Sequence, residues 1–184
     1  MEWDSSESAF LEKESGREGG GIGAIGDMTE SSLSSYTLLM PHPVVFIGAD
    51  HAGYPLKEQL MPWLEAQKHT VVDLSPNLVE GDDYPAHALR VARHVAKTPG
   101  ARGILVCGNG VGMVIAANRV KKVRAFEALD EPTTKLAREH NDVNVVALSG
   151  WHEDVERAEQ LLKVFFATKA SRSSRHLRRI AQLG

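Results

Sequence analysis

From residue 43 onward the chain alternates short apolar runs rich in β-branched residues with stretches in which apolar residues recur every three or four positions. The runs predict five β-strands, at residues 44–49, 70–74, 103–107, 123–128 and 144–149. Between them, one predicted helical face is formed by Leu56, Leu60 and Leu64, a second by Ala88, Val91, Ala92 and Val95, and a third by Val155, Ala158, Leu162 and Phe165. Pro62 lies inside the first helix and is expected to kink or split it.

Strands that alternate with helices predict an α/β fold. The connections between such strands are right-handed crossovers, which make the sheet parallel and cover both of its faces. We therefore expect a five-stranded parallel sheet in a Rossmann-like three-layer sandwich, followed by a C-terminal helix. The chain has 184 residues, 42% of them hydrophobic, which is enough for one sizeable core but hardly for two.

The first 42 residues differ from the rest in charge and composition. They carry eight acidic side chains against Lys13 and Arg17, and they are rich in Ser and Gly without sustained apolar periodicity. This pattern predicts a disordered acidic extension over residues 1–42 and a folded domain over residues 43–184. Two interpretations of the extension stay open, a docking or phosphorylation segment and a dispensable addition.

Targeting signals and cysteine content narrow the class of protein. No apolar run approaches the roughly 18 residues of a membrane span, and the N-terminus has acids where a secretory signal carries a basic cluster. We expect a soluble, cytoplasmic protein with no membrane partner. Cys107 is the only cysteine, which excludes an intrachain disulfide and a cysteine-rich zinc site.

In open parallel sheets, ligands bind outside the carboxyl ends of the strands. Polar motifs follow the first strand ("DHAG", 50–53), the third strand ("CGNGVG", 107–112) and the helix after the fourth strand ("REHNDVN", 138–144). Each motif alone is weak, because Asp, His and Asn are also common turn and cap residues. We expect the three to converge on one end of the sheet.

The glycine-rich motif after the third strand predicts an oxyanion-binding loop. Gly108, Gly110 and Gly112 permit positive φ and remove side chains, so backbone N–H groups can converge before the next helix. The motif matches neither a dinucleotide-binding fingerprint nor a P-loop, and a tight strand-to-helix turn is the alternative. Helix-end dipoles are expected to lower the pKa of Cys107 and populate its thiolate, although a packed core thiol remains the competing interpretation.

The C-terminal segment "SRSSRHLRRIAQLG" predicts a phosphate site. Arg175 and Arg179 lie four residues apart on a helix whose Leu177, Ile180 and Leu183 are expected to point inward. Two guanidinium groups at this spacing repel unless an anion lies between them, and their forks match phosphate oxygens. A solvated basic helix is the alternative. Nucleic acid is disfavoured because the folded region is only mildly basic and no stacking aromatics accompany the arginines.

These motifs resemble the type B ribose-5-phosphate isomerases, a family that also contains the galactose-6-phosphate isomerase subunits. The resemblance runs from about Val44 to Ile180. It rests on five motifs in the family's order and spacing, "GADHAG", "DYP" at 83–85, "CGNGVGMVIAAN", "REHNDVNV" and "RHLRR". It implies interconversion of ribose 5-phosphate and ribulose 5-phosphate in the pentose phosphate pathway, through an enediolate and without metal or organic cofactor.

The resemblance also implies roles for individual residues. Cys107 stands where the cysteine subgroup has its catalytic base, and Met113 occupies the position of the glutamate that a second subgroup uses. Asp50 and His140 match residues of sugar-ring opening. Substrate contacts are implied for the loop residues Gly108, Asn109, Gly110, Val111 and Gly112, for Asn141 on the sugar, for His51, Arg124, Arg175 and Arg179 on the phosphate, and for Tyr84 in the pocket lining. The remaining histidines receive no role.

The family's sites are shared between subunits, with the His-Asn pair supplied by the partner, so the resemblance implies a homodimer or a dimer of dimers. Two departures bear on the substrate. Asn109 replaces the usual Thr or Ser, and Trp151 stands in a loop where a Gly-x-Arg pattern is common. Isomerisation of a six-carbon sugar phosphate (galactose 6-phosphate or allose 6-phosphate) and non-catalytic sugar-phosphate binding therefore stay open. A redox-sensing thiol has only Cys107 in its favour and lacks a resolving cysteine.

Overall fold

The computed structural model describes residues 42–183, within which five strands alternate with helices as predicted. The strands are β1 (Val44–Ala49), β2 (Thr70–Asp73), β3 (Arg102–Cys107), β4 (Ala125–Glu127) and β5 (Val145–Ser149). The helices are α1 (Tyr54–Ala66), α2 (Tyr84–Lys97), α3 (Val111–Ala117), α4 (Glu131–Asn141), α5 (Val155–Ala167) and α6 (Ser174–Gln182). Apart from His42, the predicted acidic extension lies outside the described residues.

The five strands form one parallel sheet in the order β2-β1-β3-β5-β4. The predicted α/β fold is therefore confirmed. β3 is the central strand, and its last residue, Cys107, lies opposite Ser149 at the end of β5. β2 lies on one side of β1, and β3, β5 and β4 lie on the other, so the order of the strands reverses between β1 and β3. Such a reversal opens a crevice at the carboxyl ends of these two strands.

Alternating side chains along the strands build two separate cores. On one face Ile47, Val106 and Leu148 pack beneath α1 and α5, and on the other Phe46 and Leu105 pack beneath α2 and α3. The arrangement is the three-layer sandwich expected when the strands are apolar on both faces. The rigid sheet fixes the loops at both of its ends.

Pro62 does not split α1, contrary to one of the two predicted outcomes. The helix continues from Tyr54 to Ala66. Proline removes the hydrogen bond to the carbonyl four residues earlier, here that of Glu58, and both residues are exposed, so solvent can reach that carbonyl. The buried Leu60 and Leu64 hold the helix on the sheet.

The inward face predicted for α6 is wrong for Leu177 and Leu183, although Ile180 is half-buried. Leu177 and Leu183 are exposed, Leu177 at 51% of its surface, while His176 is buried at 5%. His176 and the half-buried Ile180 are four residues apart and form the face of α6 that lies toward α4. Among the six helices, none has the length and apolar character that crossing a membrane requires within residues 42–183.

Candidate active site

The loop after β1 is pressed against the end of β3, which brings Asp50 beside Cys107. Asp50 is buried, and its Oδ1 accepts a hydrogen bond from the Gly53 N–H at 2.9 Å. Only glycine fits at position 53, because a Cβ atom there would lie 2.1 Å from the Val106 carbonyl oxygen. Asp50 therefore caps the turn after β1, which is a common role of Asp, and this cap also holds its carboxylate close to the Cys107 thiol.

Cys107 closes β3 and lies at the boundary between core and loop. Its side chain packs with Met113 and Ala117, its exposed fraction is 4%, and its Sγ accepts the Gly110 N–H at 3.2 Å. The expectation of a lowered thiol pKa is wrong. Burial raises the pKa of Cys107 and the nearby Asp50 charge raises it further, while backbone N–H groups, led by Gly110, act in the opposite direction and are outweighed.

Each glycine of the loop meets a different structural demand. Gly110 has φ +84°, a conformation that favours glycine. A Cβ atom at Gly108 would lie 2.6 Å from the Trp151 ring, and one at Gly112 would lie 2.6 Å from the Tyr84 ring. The glycines therefore let two aromatic rings lie directly on the loop backbone beside Cys107.

These two rings flank the mouth of the loop. Trp151 is 69% exposed, and its backbone N–H donates to the Gly108 carbonyl at 3.1 Å. The Ser149 hydroxyl donates to the same carbonyl at 2.7 Å, so the end of β5 fixes the start of the loop. The exposed Asn109 turns its Oδ1 back to accept the Val111 N–H at 3.2 Å.

His51, next to Asp50, is held by a carboxylate from the loop before α2. Asp82 Oδ1 accepts the His51 backbone N–H at 2.7 Å and lies 3.2 Å from its Nδ1, while Asp82 Oδ2 lies 2.6 Å from His87 Nε2. The hydrogen bond to Asp82 is the main reason why the pKa of His51 is raised. The His51 side chain is exposed, so its imidazole is accessible to a ligand.

Arg124 lies at the other end of the sheet, where it fastens the C-terminus of α4. Its Nε donates to the backbone carbonyls of Asn141 and Asp142 at 2.9 and 3.0 Å, and its Nη2 donates to the Asp142 carbonyl and carboxylate. Asp142 has φ +45° just after the helix. These bonds give Arg124 a structural role that occupies its Nε and Nη2, while its Nη1 makes only a 3.5 Å contact with the Lys122 carbonyl.

His140 and Arg175 meet at the same end, through the buried His176. The His140 and His176 rings stack with centroids 4.4 Å apart and planes at 17°, and Arg175 Nε lies 3.2 Å from His176 Nε2. Asn141 and Arg179 are exposed beside this cluster. An imidazole, an amide and two guanidinium groups thus share one surface.

The predicted site residues consequently form two groups rather than one. The first, at the carboxyl ends of the strands, comprises Asp50, His51, Tyr84, Cys107 and the loop Gly108–Gly112; we call it the carboxyl-end half-site. The second comprises Arg124, His140, Asn141, Arg175 and Arg179; we call it the amino-end half-site.

The expected convergence of the three polar motifs on one end of the sheet is therefore wrong for "REHNDVN". A helix that follows a parallel strand begins at the carboxyl end and returns to the amino end, so the last residues of α4 lie where β5 begins. Strands of five or six residues, rising about 3.3 Å per residue, separate the two half-sites by roughly 15 Å.

Sequence reasoning missed four polar side chains of these surfaces. They are Asp82, His87, Glu127 and His176. Glu127 ends β4, and its Cγ would lie 3.2 Å from a Cβ atom at Gly110, so its carboxylate borders the loop. Its place near the end of a predicted strand was a usable signal for Glu127, whereas apolar periodicity favoured Leu177 over His176 as the buried residue. No set of three or more His, Cys, Asp or Glu side chains within residues 42–183 is arranged to hold a metal ion.

Comparison with known proteins agrees with this geometry. Residues 45–183 match the Ribose/Galactose Isomerase family. Ribose-5-phosphate isomerase B of Mycobacterium tuberculosis H37Rv is 37% identical over 137 residues, which cover 74% of this chain and 85% of that protein. A probable ribose-5-phosphate isomerase B of Mycoplasma pneumoniae is 36% identical over 149 residues, covering 78% and 94%.

Solved structures give the same result. Ribose 5-phosphate isomerase of Thermotoga maritima superposes with a TM-score of 0.73 at 35% identity, covering 77% of this chain and 97% of that one. Ribose-5-phosphate isomerase B of Mycoplasma genitalium, solved with bound ribulose-5-phosphate, has a TM-score of 0.72 at 38% identity, covering 76% and 92%. The chain belongs to the ribose/galactose isomerase family.

Proposed function

We propose that this protein is an aldose-ketose isomerase that interconverts ribose 5-phosphate and ribulose 5-phosphate. The single observation that carries the proposal is the position of Cys107, whose Sγ lies 3.2 Å from the Gly110 N–H at the mouth of the glycine loop, beside the buried Asp50. Isomerisation next to a carbonyl needs a base within reach of a C–H bond and donors for the developing oxyanion. The relative from Mycoplasma genitalium that carries ribulose-5-phosphate supports the choice of sugar.

In this mechanism the Cys107 thiolate removes the proton from C2 of the open-chain aldose. The C–H electron pair forms the C1–C2 double bond of an enediolate, and loop amides stabilise the negative oxygen. Return of the proton from the thiol to C1, with proton transfer between the two oxygens, gives the ketose. Met113, at the position of the glutamate base of the other subgroup, is fully buried and apolar, which supports Cys107 as the base in this proposal.

Ring opening precedes this step and needs an acid and a base. We assign them to His140 and Asp50, with Asn141 on the sugar and Tyr84 along the pocket wall. His51, Arg175 and Arg179 are the phosphate ligands we favour, because all three are exposed. Arg124 is the weakest of the proposed phosphate ligands, because its guanidinium already binds Asp142 and two backbone carbonyls.

We infer that the complete site forms between two subunits. One chain keeps Cys107 and His140 on opposite ends of its sheet, so the carboxyl-end half-site of one subunit must meet the amino-end half-site of another. Val111 and Ile115 support this pairing, because both are exposed apolar residues one turn apart on α3, beside the glycine loop. A homodimer, alone or within a dimer of dimers, satisfies the requirement.

The direct test is an assay with purified protein, ribose 5-phosphate and detection of ribulose 5-phosphate. We expect turnover in the wild-type protein and its loss in Cys107→Ala, with Cys107→Ser as the variant that conserves packing volume and polarity. Absence of turnover in the wild-type protein, or unchanged turnover in Cys107→Ala, refutes the proposal. Turnover of galactose 6-phosphate or allose 6-phosphate alone assigns the six-carbon reaction instead.

A non-catalytic sugar-phosphate-binding protein is the second candidate. Two observations favour it, namely the raised pKa of Cys107, which leaves little thiolate at neutral pH, and the amide of Asn109 in place of a hydroxyl. Calorimetric binding of ribose 5-phosphate that survives Cys107→Ala but is lost in Arg175→Ala, without any isomerisation by the wild-type protein, selects this candidate.

A further inference from the structure

His176 occupies an interior position that its neighbours on α6 do not. Only 5% of its surface is exposed, whereas Leu177, the next residue, is half exposed. A helix that buried its apolar side chains would have turned Leu177 inward, because burial of leucine contributes about 1.5–3 kcal/mol. The helix instead turns an imidazole toward α4, so the ring's contacts identify what it does there.

The contact with Arg175 fixes the protonation of the imidazole. A guanidinium N–H can only donate, so Arg175 Nε, 3.2 Å from His176 Nε2, requires that Nε2 carry a lone pair. His176 is therefore neutral with its proton on Nδ1 when this bond forms. The backbone carbonyl of His140 acts as an acceptor for an N–H of the same ring.

The contact with His140 is made by the ring face. The two imidazoles stack at 4.4 Å with planes only 17° apart, so the plane of His176 sets the plane of His140. One buried side chain thus contacts both the proposed acid of ring opening and a proposed phosphate ligand.

We propose that His176 is a positioning residue that orients His140 through its ring face and Arg175 through its Nε2 lone pair. The proposal rests on the proposed function, since it assigns these two partners their catalytic and binding roles. Arg175 donates its Nε–H to His176, so its two terminal nitrogens remain to bind phosphate oxygens as a fork.

The surrounding charges favour the neutral form of His176 that this arrangement needs. Burial is the main reason why the pKa of His176 is lowered, and the positive groups that face it, His140 from α4 and Arg175 and Arg179 from α6, lower it further. Protonation at low pH would remove the lone pair and release Arg175. Substrate affinity should therefore decrease as the pH falls through the pKa of His176.

Two substitutions separate the contacts. His176→Phe keeps a ring for His140 but removes the acceptor, so we expect KM for ribose 5-phosphate to rise about tenfold, the typical effect of one hydrogen bond to a charged group, with kcat little changed. His176→Gln keeps an acceptor near Nε2 but removes the ring, so we expect kcat to fall with KM little changed. His94→Phe is the matched control, because His94 also packs on a ring, that of Phe46 at 5.0 Å, away from both half-sites.

A rise of KM alone in His176→Phe and a fall of kcat alone in His176→Gln is a result that a merely structural role of His176 would not produce. Thermal unfolding of both variants establishes that they are folded. If His176→Phe and His176→Gln change KM and kcat in parallel, or if neither variant differs from His94→Phe, His176 does not position these partners and the proposal is overturned.

An NMR measurement tests the contact independently of activity. In long-range 1H–15N spectra of the wild-type protein, with the His176 signal assigned by its loss in His176→Gln, we expect an unprotonated Nε2 at neutral pH. Arg175→Leu should raise the His176 pKa, because a positive neighbour and the donated bond are both lost. A protonated Nε2 in the wild-type protein contradicts the proposal, whereas absent turnover with the expected spectrum contradicts only the proposed function.

Discussion

The two half-sites are built in different ways. The carboxyl-end half-site consists of loop backbone held at close range, with glycines that admit the Trp151 and Tyr84 rings and a thiol that is almost fully buried. The amino-end half-site consists of side chains at helix ends, with Arg175, Arg179 and Asn141 exposed. In the first, the reactive sulfur and the Asp50 carboxylate are nearly excluded from solvent, whereas the second is cationic and open.

This difference indicates a division of labour. Proton transfer depends on a fixed distance between base and carbon, which suits a site whose position is set by main-chain contacts. Anchoring a phosphate depends on charge and forked hydrogen bonds, which suits arginines on a helix. Changes at the Cys107 loop should therefore lower kcat, and changes at the arginines of the amino end should mainly raise KM.

The largest expected effect is that of Cys107→Ala. Removal of a positioned base typically costs about 10²- to 10⁴-fold, so we expect kcat to fall about a thousandfold while KM stays within a few-fold. Steady-state kinetics on ribose 5-phosphate, with thermal unfolding as the check on folding, measures this. A variant that loses affinity while keeping kcat would reverse the assignment of roles.

Next in size is the effect of removing the arginine pair. Arg175→Gln combined with Arg179→Gln deletes two charge-assisted contacts, for which we expect KM to rise about a hundredfold with a much smaller change in kcat. Arg172→Gln, an exposed arginine of the same segment, is the control and should match the wild-type protein. A pure kcat loss in the double variant argues that the arginines do not hold substrate.

The pH dependence of kcat sharpens the account of the carboxyl end. Because burial raises the pKa of Cys107, the reactive thiolate is the minor form at neutral pH. Activity should climb by up to about tenfold per pH unit below that raised pKa, as for any step that needs a deprotonated base. A profile already flat at pH 7 would show that the thiol pKa is low in the working enzyme.

The smallest expected effect is that of Asp82→Asn on phosphate binding. Asp82 raises the pKa of His51, so the imidazolium persists to higher pH than in the unfolded chain. The interaction of His51 with Asp82 stabilises the folded state at pH values below the ordinary histidine pKa. This stabilisation is lost as the pH rises through the raised pKa of His51. In Asp82→Asn the rise of KM with pH should begin at lower pH. Near neutrality the difference in KM should be only a few-fold, because His51 is exposed and solvent screens its interaction with Asp82.

The KM profile between pH 5 and 9 checks this last expectation, with Asp83→Asn as the control, since Asp83 is an exposed acid next in the sequence. Identical profiles for Asp82→Asn and the wild-type protein would remove His51 from the phosphate site.

The sheet, its strand positions and the Cys107 loop followed from the sequence because they depend on local patterns. Continuous apolar runs predict strands that are covered on both faces, and Ile104 and Leu105, on opposite faces of β3, are both fully buried. The pKa of Cys107 did not follow, because the competition between burial and loop amides depends on how deeply the sulfur lies.

The resemblance implied that the partner subunit supplies the His-Asn pair, but reasoning from the strand ends placed His140 and Cys107 at one end of the sheet. The separation of the two residues was predictable in principle. It needed the rule that a crossover helix returns to the amino end of the sheet, applied to the last turn of α4. The burial of His176 was not predictable from apolar periodicity, because Leu177 is the more hydrophobic neighbour. Contacts with His140 and Arg175, which belong to tertiary structure, decide the orientation of α6.

Complementation between inactive subunits tests the shared site most directly. Cys107→Ala and His140→Gln proteins are each refolded alone and then refolded together in equal amounts. If the site forms between subunits, about half of the pairs are mixed and each mixed pair contains one intact site out of two, so the mixture should recover about a quarter of wild-type activity. A mixture as inactive as its separate components would show that Cys107 and His140 do not act across a subunit boundary.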